Sequence, residues 1–127
     1  MRILAVDDEK GYLTLLGDLL RGYGFDVYLA ENGKQAREML EEQKIDIIIS
    51  DVHMPTLDGT RFHSYVREFT DAGEIPFIFI SGIDDEKTRR SVVDPNLDFF
   101  LSKTTPVHEI VELIQRLGSK VQSKSEA

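Results

Sequence analysis

Five polar residues in this chain have the types and the order expected of a site that binds a divalent cation and an oxyanion. They are Asp7, Asp8, Asp51, Ser81 and Lys103, and each follows or ends a short apolar run. Carboxylates that crowd together in a partly desolvated cleft cannot all stay ionised unless a cation is shared among them. The set therefore favours a hard metal ion, with an ammonium and a hydroxyl beside it.

Such a sparse set of carboxylates is best suited to magnesium. Mg²⁺ prefers octahedral oxygen coordination, keeps several waters and takes only one or two protein carboxylates, whereas Ca²⁺ needs a richer shell. With Lys103 and Ser81 nearby, the ion could neutralise a tetrahedral oxyanion attached to a carboxylate. Asp51 is the most central of the acids, and it is the candidate nucleophile.

Short apolar runs alternate with segments of helical spacing along the whole chain. The runs are Ile3 to Val6, Phe25 to Ala30, Ile45 to Ile49, Phe77 to Ile80 and Leu97 to Leu101. Strict alternation of strand and helix predicts a parallel sheet with right-handed crossovers and helices on both faces. Five helices are expected, and the mostly polar fourth, from Asp84 to Val93, has the weakest pattern.

The apolar runs also indicate which strands are central. The third run is apolar from Ile47 onward and the fourth throughout, as in strands buried on both faces, whereas Asp26 and Asp98 interrupt the second and fifth runs. This pattern favours the order 2-1-3-4-5 of a doubly wound, flavodoxin-like α/β fold. The first and third strands are then neighbours about 4.8 Å apart, which brings together the aspartates that follow them.

Helix boundaries and faces can be predicted in the same way. Asn32 and Gln35 resemble a capping box, and Gly22 and Gly24 end the first helix. The first helix should carry a wide apolar stripe, made of Leu13, Leu15, Leu16, Leu19 and Leu20. The three histidines share no ligand spacing. His53 is predicted in an exposed loop, His63 on a helix surface and His108 in a first helical turn.

Composition excludes several classes of function. The 127 residues suit one domain, predicted at 1–121 with a polar tail or linker at 122–127. The net charge of −8 argues against direct binding to nucleic acid or anionic lipid, and the absence of cysteine excludes disulfides and thiolate chemistry. No apolar run approaches about 18 residues, so the protein is expected to be soluble and cytoplasmic, without membrane association.

Taken in order, these residues closely resemble the response-regulator receiver domains of two-component signalling. The resemblance rests on five motifs: Asp7-Asp8, Asp51, Met54-Pro55 with Asp58-Gly59, Ser81-Gly82 and Lys103. Any one of these motifs would be a weak signal. Five in this order, nearly all at strand ends and within residues 1 to about 121, are specific.

The resemblance implies a role for each polar residue. Asp51 would accept a phosphoryl group from a phosphohistidine on a sensor histidine kinase or a histidine phosphotransfer protein. Asp8 and Asp51 would bind Mg²⁺ directly together with the backbone carbonyl of His53, and Asp7 would act through a water. Lys103 would pair with Asp51 and afterwards with its phosphate.

The resemblance also implies a switch and an output. Ser81 would move toward the phosphate, and Phe100, at the position of the family's switch aromatic, would follow it inward. The surface of the fourth helix, fifth strand and fifth helix would then repack and act on a downstream protein or a fused output domain. Lys87, Arg89 and Arg90 are expected to form a solvated basic stripe, and the alternative is a homodimer through that surface in which they pair with Glu109 and Glu112 of a second copy.

Other readings remain open at this point. Thr104 follows Lys103 where the family usually has a cis proline, so this peptide is expected to be either trans or strained. A degenerate receiver that docks without phosphorylation is the main alternative function. A nucleotide-binding module would need a glycine-rich loop after the first strand, where this chain has acidic residues instead. A dehalogenase-type phosphatase would need Asp-x-Asp and a cap domain, whereas this chain has Asp51-Val-His53 and no spare residues for a cap.

Overall fold

The fold is a single parallel sheet with helices on both faces. The computed structural model describes residues 1–52, 59–69, 74–82 and 96–126. Its strands are β1 (Arg2–Val6), β2 (Asp26–Ala30), β3 (Ile47–Asp51), β4 (Phe77–Ser81) and β5 (Asp98–Ser102). Its helices are α1 (Lys10–Gly22), α2 (Gly33–Glu42), α3 (Gly59–Phe69) and α4 (Val107–Glu126). The fourth helix predicted from the sequence, at 84–93, lies outside the described residues, so α4 here is the fifth of that prediction.

The strand order β2-β1-β3-β4-β5 confirms the prediction, with all neighbours parallel. β2 and β5 lie at the edges of the sheet. Successive residues of a strand point to opposite faces, so a central strand fills two cores at once. In β1, Ile3 and Ala5 pack with α1 and α4, whereas Leu4 and Val6 pack with α2 and α3. This doubly wound arrangement leaves the carboxyl ends of the strands open along one edge.

The helix ends follow the predicted signals. The Asn32 side chain accepts a hydrogen bond from the Gln35 amide at 2.9 Å, and the Gln35 side chain accepts one from the Glu31 amide at 2.8 Å. α1 ends at Gly22, and Gly24 has a φ of 94°, in the left-handed region that favours glycine. Both predicted boundaries are therefore confirmed.

The wide apolar stripe predicted on α1 is divided in the structure. Leu13, Leu16 and Leu20 are buried against the sheet, but Leu15 is 58% exposed and Leu19 is 39% exposed. A helix lying on an open sheet buries only one arc of its circumference, and Leu15 and Leu19 lie on the opposite arc. The prediction that all five leucines form one stripe was wrong for these two.

His63 is buried, which corrects the prediction of a helix-surface position. Its Nε2 lies 2.7 Å from Oδ1 of Asp98, and the Nη2 of Arg67 lies 2.6 Å from the same oxygen. The ring packs against Phe77 and Phe79 of β4, with centroids 5.0 and 5.1 Å away. Burial lowers the pKa of His63, although the nearby Asp98 opposes this shift. Asp98 thus begins an edge strand as predicted, but its carboxylate is buried and paired with side chains of α3.

The last helix closes the face opposite α2 and α3. Ile110, Val111, Ile114 and Leu117 of α4 are buried in the core shared with α1. The helix continues to Glu126, through residues for which the sequence predicts a polar tail. The domain boundary at 121 stays a prediction. Within the described ranges, no helix is both long and apolar enough to cross a membrane.

Arg67→Met should lower the free energy of unfolding by about 3 kcal/mol, because it removes a cation from the buried Asp98 carboxylate. Arg116→Met, at an exposed position of α4, is the control and should change it by less than about 0.5 kcal/mol. Urea unfolding at neutral pH measures both. Equal stability of the two variants would contradict a structural role for the ion pair.

Candidate functional site

The carboxyl ends of four strands place polar side chains along one edge of the sheet. Asp7 comes directly after β1, Asp51 and Ser81 are the last residues of β3 and β4, and Lys103 comes directly after β5. The amide of Lys103 donates to the carbonyl of Ser81 at 2.9 Å, which aligns the ends of β4 and β5. Four segments that are distant in sequence therefore meet at one place.

The three aspartates converge. One carboxylate oxygen each from Asp7, Asp8 and Asp51 lies within 4.8 Å of the other two. Asp7 and Asp51 are buried, whereas Asp8 is exposed. The burial of two negative charges this close together needs compensating positive charge.

Each buried aspartate has one oxygen held by the backbone. Oδ1 of Asp7 accepts from the Glu9 amide at 2.9 Å, and Oδ1 of Asp51 accepts from the Val52 amide at 2.8 Å. Within the described residues, Oδ2 of Asp7 has no hydrogen-bond donor aligned with it, although the Lys103 ammonium lies 3.0 Å away. The contact between this oxygen and Lys103 is thus an ion pair.

The protonation equilibria show that the charge is incompletely compensated. The pKa of Asp51 is raised to about 6, first by burial and then by the nearby charge of Asp7, whose effect is larger than the lowering by Lys103. Burial also raises the pKa of Asp7 above its ordinary value. An added cation would favour the ionised form of both carboxylates.

These residues fit Mg²⁺. The donors are all carboxylate oxygens, two of the three aspartates are buried, and Oδ2 of Asp7 accepts no hydrogen bond from the described residues. Hard oxygen ligands in small number are what Mg²⁺ takes from proteins. His53, whose backbone carbonyl is the fourth ligand expected from the sequence, lies outside the described residues, so its part stays a prediction.

Lys103 lies among three carboxylates. Its Nζ is 2.9 Å from Oε1 of Glu9, 3.0 Å from Oδ2 of Asp7 and 3.8 Å from Oδ2 of Asp51. Burial disfavours the charged amine, but the carboxylates of Glu9, Asp7 and Asp51 around it outweigh burial and raise the pKa of Lys103. The ammonium is therefore firmly charged, and it lies nearer to the α1 side of the site than to Asp51.

Sequence reasoning missed two contacts of this lysine. Glu9 binds its ammonium, and the Tyr12 ring centroid lies 5.0 Å from Nζ, within the range of a cation–π contact. Burial raises the pKa of Tyr12 to about 12. The only sequence signal was the position of Glu9 next to the aspartate pair, with Tyr12 one helical turn later.

The remaining predicted residues border the same edge. Ser81 is buried at the end of β4, and Phe100 is half-buried on β5, opposite Phe79 in the sheet register. The Lys103–Thr104 peptide is trans. Hydroxyl groups of Ser102 and Thr104 lie 2.8 Å apart and stabilise this turn. The alternative of a trans bond, left open by the sequence, is the one found.

Comparison with known proteins gives one consistent family. A family model described as the response regulator receiver domain matches residues 3–115. An uncharacterised 14.6 kDa protein of Leptolyngbya boryana is 31% identical over 116 residues, which are 91% of this chain and 88% of that protein. The response regulator MprA of Mycobacterium leprae is 32% identical over 117 residues, 92% of this chain but only 50% of MprA.

A solved structure agrees with these relatives. The response regulator TrrA of Thermotoga maritima, crystallised in complex with Mg²⁺ and BeF, superposes with a TM-score of 0.79 at 25% identity. The match covers 91% of this chain and 97% of TrrA.

Asp51→Asn should stabilise the fold at neutral pH without added metal. The pKa of Asp51 is raised from 3.8 to about 6, so the unfolded chain releases this proton at lower pH than the folded protein does. Stability is therefore lost as pH rises from about 4 to about 6. The variant escapes this loss and should gain about 1–3 kcal/mol at pH 7.5.

Urea unfolding of both proteins at pH 7.5 and near pH 3.5 checks this expectation. The difference should become small at the lower pH, where Asp51 is protonated in the folded protein and mostly protonated in the unfolded chain. A variant no more stable than the wild type at pH 7.5 would show that the Asp51 charge is already compensated.

Proposed function

Because the chain belongs to the response regulator receiver domain family, we propose that Asp51 accepts a phosphoryl group from a phosphohistidine. The donor would be a sensor histidine kinase or a histidine phosphotransfer protein in the cytoplasm. The observation that supports the proposal is the convergence of Asp7, Asp8, Asp51 and Lys103 at one sheet edge, with the Asp51 carboxylate 3.8 Å from the ammonium. Receiver domains are parts of two-component signalling systems. The chain spans half of the length of MprA, so the process that this chain controls is also part of the proposal.

Asp51 has the geometry of a nucleophile. Its Oδ1 is held by the Val52 amide, while Oδ2 faces the ammonium of Lys103. With a pKa of about 6, the carboxylate is mostly ionised at neutral pH. Oδ2 would attack the phosphorus in line, forming a P–O bond as the P–N bond breaks and the imidazole nitrogen keeps the electron pair.

Lys103 and Ser81 would stabilise the transferred group. The ammonium, already 3.8 Å from Oδ2 of Asp51, would pair with a phosphoryl oxygen, and the Ser81 hydroxyl would donate to another. Mg²⁺ held by Asp8 and Asp51, with Asp7 acting through water and His53 through its backbone carbonyl, would neutralise charge on the phosphoryl oxygens when bound. Preorganised charges of this kind are the main source of rate acceleration in phosphoryl transfer.

The switch would pass from Ser81 to Phe100 through the paired ends of β4 and β5. Phe79 and Phe100 are partners in the register, and Phe100 packs at the margin of the core between the sheet and α2 and α3. A half-buried ring can move further inward when Ser81 moves toward the phosphate. The two arrangements would differ in population with and without the phosphoryl group.

The surface that would change includes β5 and α4. A groove there is lined by apolar side chains of β5 and α4 with charged residues at its rim, namely Phe99, Phe100, Leu101, Leu113, Glu109 and Arg116. We propose that a downstream protein, a fused output domain or a second copy of the chain binds this surface. The part expected from the fourth predicted helix, with Lys87, Arg89 and Arg90, lies outside the described residues.

The phosphohistidine donor would approach from α1. Leu15 and Leu19 of α1 and Tyr23, which directly follows the helix, are exposed at spacing i, i+4 and i+8, so they form an apolar stripe on one side. The helix begins directly after the acidic cluster. An exposed apolar stripe beside a reactive centre suits a protein donor.

Incubation with acetyl phosphate and Mg²⁺ tests the phosphoacceptor. Intact mass spectrometry should show the gain of one phosphoryl group by the wild type and none by Asp51→Asn. If the wild type gains nothing, the chain is a docking module that works without phosphorylation. If both gain equally, Asp51 is not the acceptor.

Lys103→Ala should separate phosphorylation from the switch. The variant should fold and accept phosphate from acetyl phosphate, because Asp51 and the carboxylates of Asp7 and Asp8 remain. The amide resonances of β5 and α4 should then shift much less than in the phosphorylated wild type, as seen by heteronuclear NMR. Lys44→Ala, at an exposed position, is the control and should respond like the wild type. An undiminished response in Lys103→Ala would show that the lysine does not carry the signal.

A further inference from the structure

The lysine of the site is bound more closely to Glu9 than to the phosphoacceptor. Its Nζ lies 2.9 Å from Oε1 of Glu9 but 3.8 Å from Oδ2 of Asp51. The Tyr12 ring, also contributed by α1, lies on the ammonium as well. Together with Asp7, these groups hold the cation on the α1 side of the cleft.

We propose that Glu9 is a positioning residue that keeps Lys103 away from Asp51 and so slows acceptance of the phosphoryl group. The inference rests on the proposed function of Asp51. Before transfer, the ammonium is distributed among three carboxylates, and Glu9 takes the shortest contact. For Lys103 to reach an incoming phosphoryl oxygen beyond Asp51, this contact must lengthen.

The backbone of Glu9 is held by two hydrogen bonds, which fix the point from which its side chain reaches Lys103. Its amide donates to Oδ1 of Asp7 at 2.9 Å, and its carbonyl accepts from the Leu13 amide at 3.0 Å, in the first turn of α1. The side chain then accepts a hydrogen bond from Lys103, a residue 94 positions later in the sequence. The position of Glu9 at the start of α1 thus determines where the lysine rests.

The exposure of Glu9 sets how strongly it can act. The Glu9 side chain is 66% exposed, whereas that of Asp7 is 2% exposed. Exposed ion pairs are weakened by water and salt, and losing one changes an equilibrium by at most about five-fold. Glu9 can therefore release the lysine when the phosphoryl group arrives, while the buried Asp7 stays bound, so the effect is a brake rather than a block.

Two substitutions separate the contact from the charge. Glu9→Gln removes the charge at nearly the same length, and Glu9→Asp keeps the charge but is one methylene too short to hold the ammonium equally well. Glu38→Gln, exposed on α2, is the control for a general change in net charge. The initial rate of phosphorylation by acetyl phosphate is measured for all four proteins at saturating Mg²⁺.

Glu9→Gln and Glu9→Asp should both react about two- to five-fold faster at saturating acetyl phosphate, and Glu38→Gln should match the wild type. The half-saturating concentration of this anionic donor should fall in Glu9→Gln alone. Wild-type rates in Glu9→Asp would show that only charge matters, and wild-type rates in both variants would show that Glu9 does not hold the lysine. Either result overturns the proposal.

A crystal structure of Glu9→Gln gives a readout that does not need phosphorylation. The distance from Nζ of Lys103 to Oδ2 of Asp51 should fall below 3.8 Å. An Nζ to Oδ2 distance of 3.8 Å or more in the variant would overturn the inference even if the wild type is phosphorylated. Failure of the wild type to accept any phosphoryl group would instead refute the proposed function, and the structure of the variant would still decide the role of Glu9.

Discussion

Two buried carboxylates and an exposed one share a space less than 5 Å across, and this crowding of negative charge constrains the rest of the site. Parallel strands make it unavoidable, because β1 and β3 are neighbours and both end at the same edge of the sheet. The positive charge that the described residues supply there is Lys103, and the raised pKa of Asp51 shows that it is insufficient. A further cation would therefore favour the ionised carboxylates, and the proposed phosphorylation depends on such an ion.

The opposite end of the sheet solves the same problem differently. Asp98 is buried at the start of β5, but its carboxylate contacts the guanidinium of Arg67 and the imidazole of His63, both from α3. Arg67 also donates to the carbonyls of Ile75 and Leu97, which ties α3 to the starts of β4 and β5. The buried negative charge is compensated at the amino ends of the strands, whereas its compensation is incomplete at their carboxyl ends. Stability and function are therefore assigned to opposite ends of the same strands.

The architecture and the meeting of the acids could be predicted from the sequence because both follow from local patterns. Uninterrupted apolar runs identify central strands, and interruptions such as Asp26 identify edges, so the strand order and the residues at the strand ends follow. Which arc of a helix faces the sheet is less certain, since Leu15 and Leu19 have the same apolar character as Leu16. The structure exposes those two leucines and buries His63, because the angle at which each helix packs is set by contacts between distant residues.

The partner of Lys103 is another feature that the sequence could not determine. The distances from the Lys103 ammonium to Glu9 and to Asp51 differ by only about 1 Å, and this difference depends on the backbone at the start of α1. Direct titration of the crowded carboxylates with Mg²⁺ by isothermal calorimetry is the measurement that tests the account most directly. The unphosphorylated protein should bind one ion saturably, and the affinity of Asp8→Ala for the ion should be clearly lower. Absence of saturable binding, or equal affinity in Asp8→Ala, would contradict a shared cation as the basis of the site.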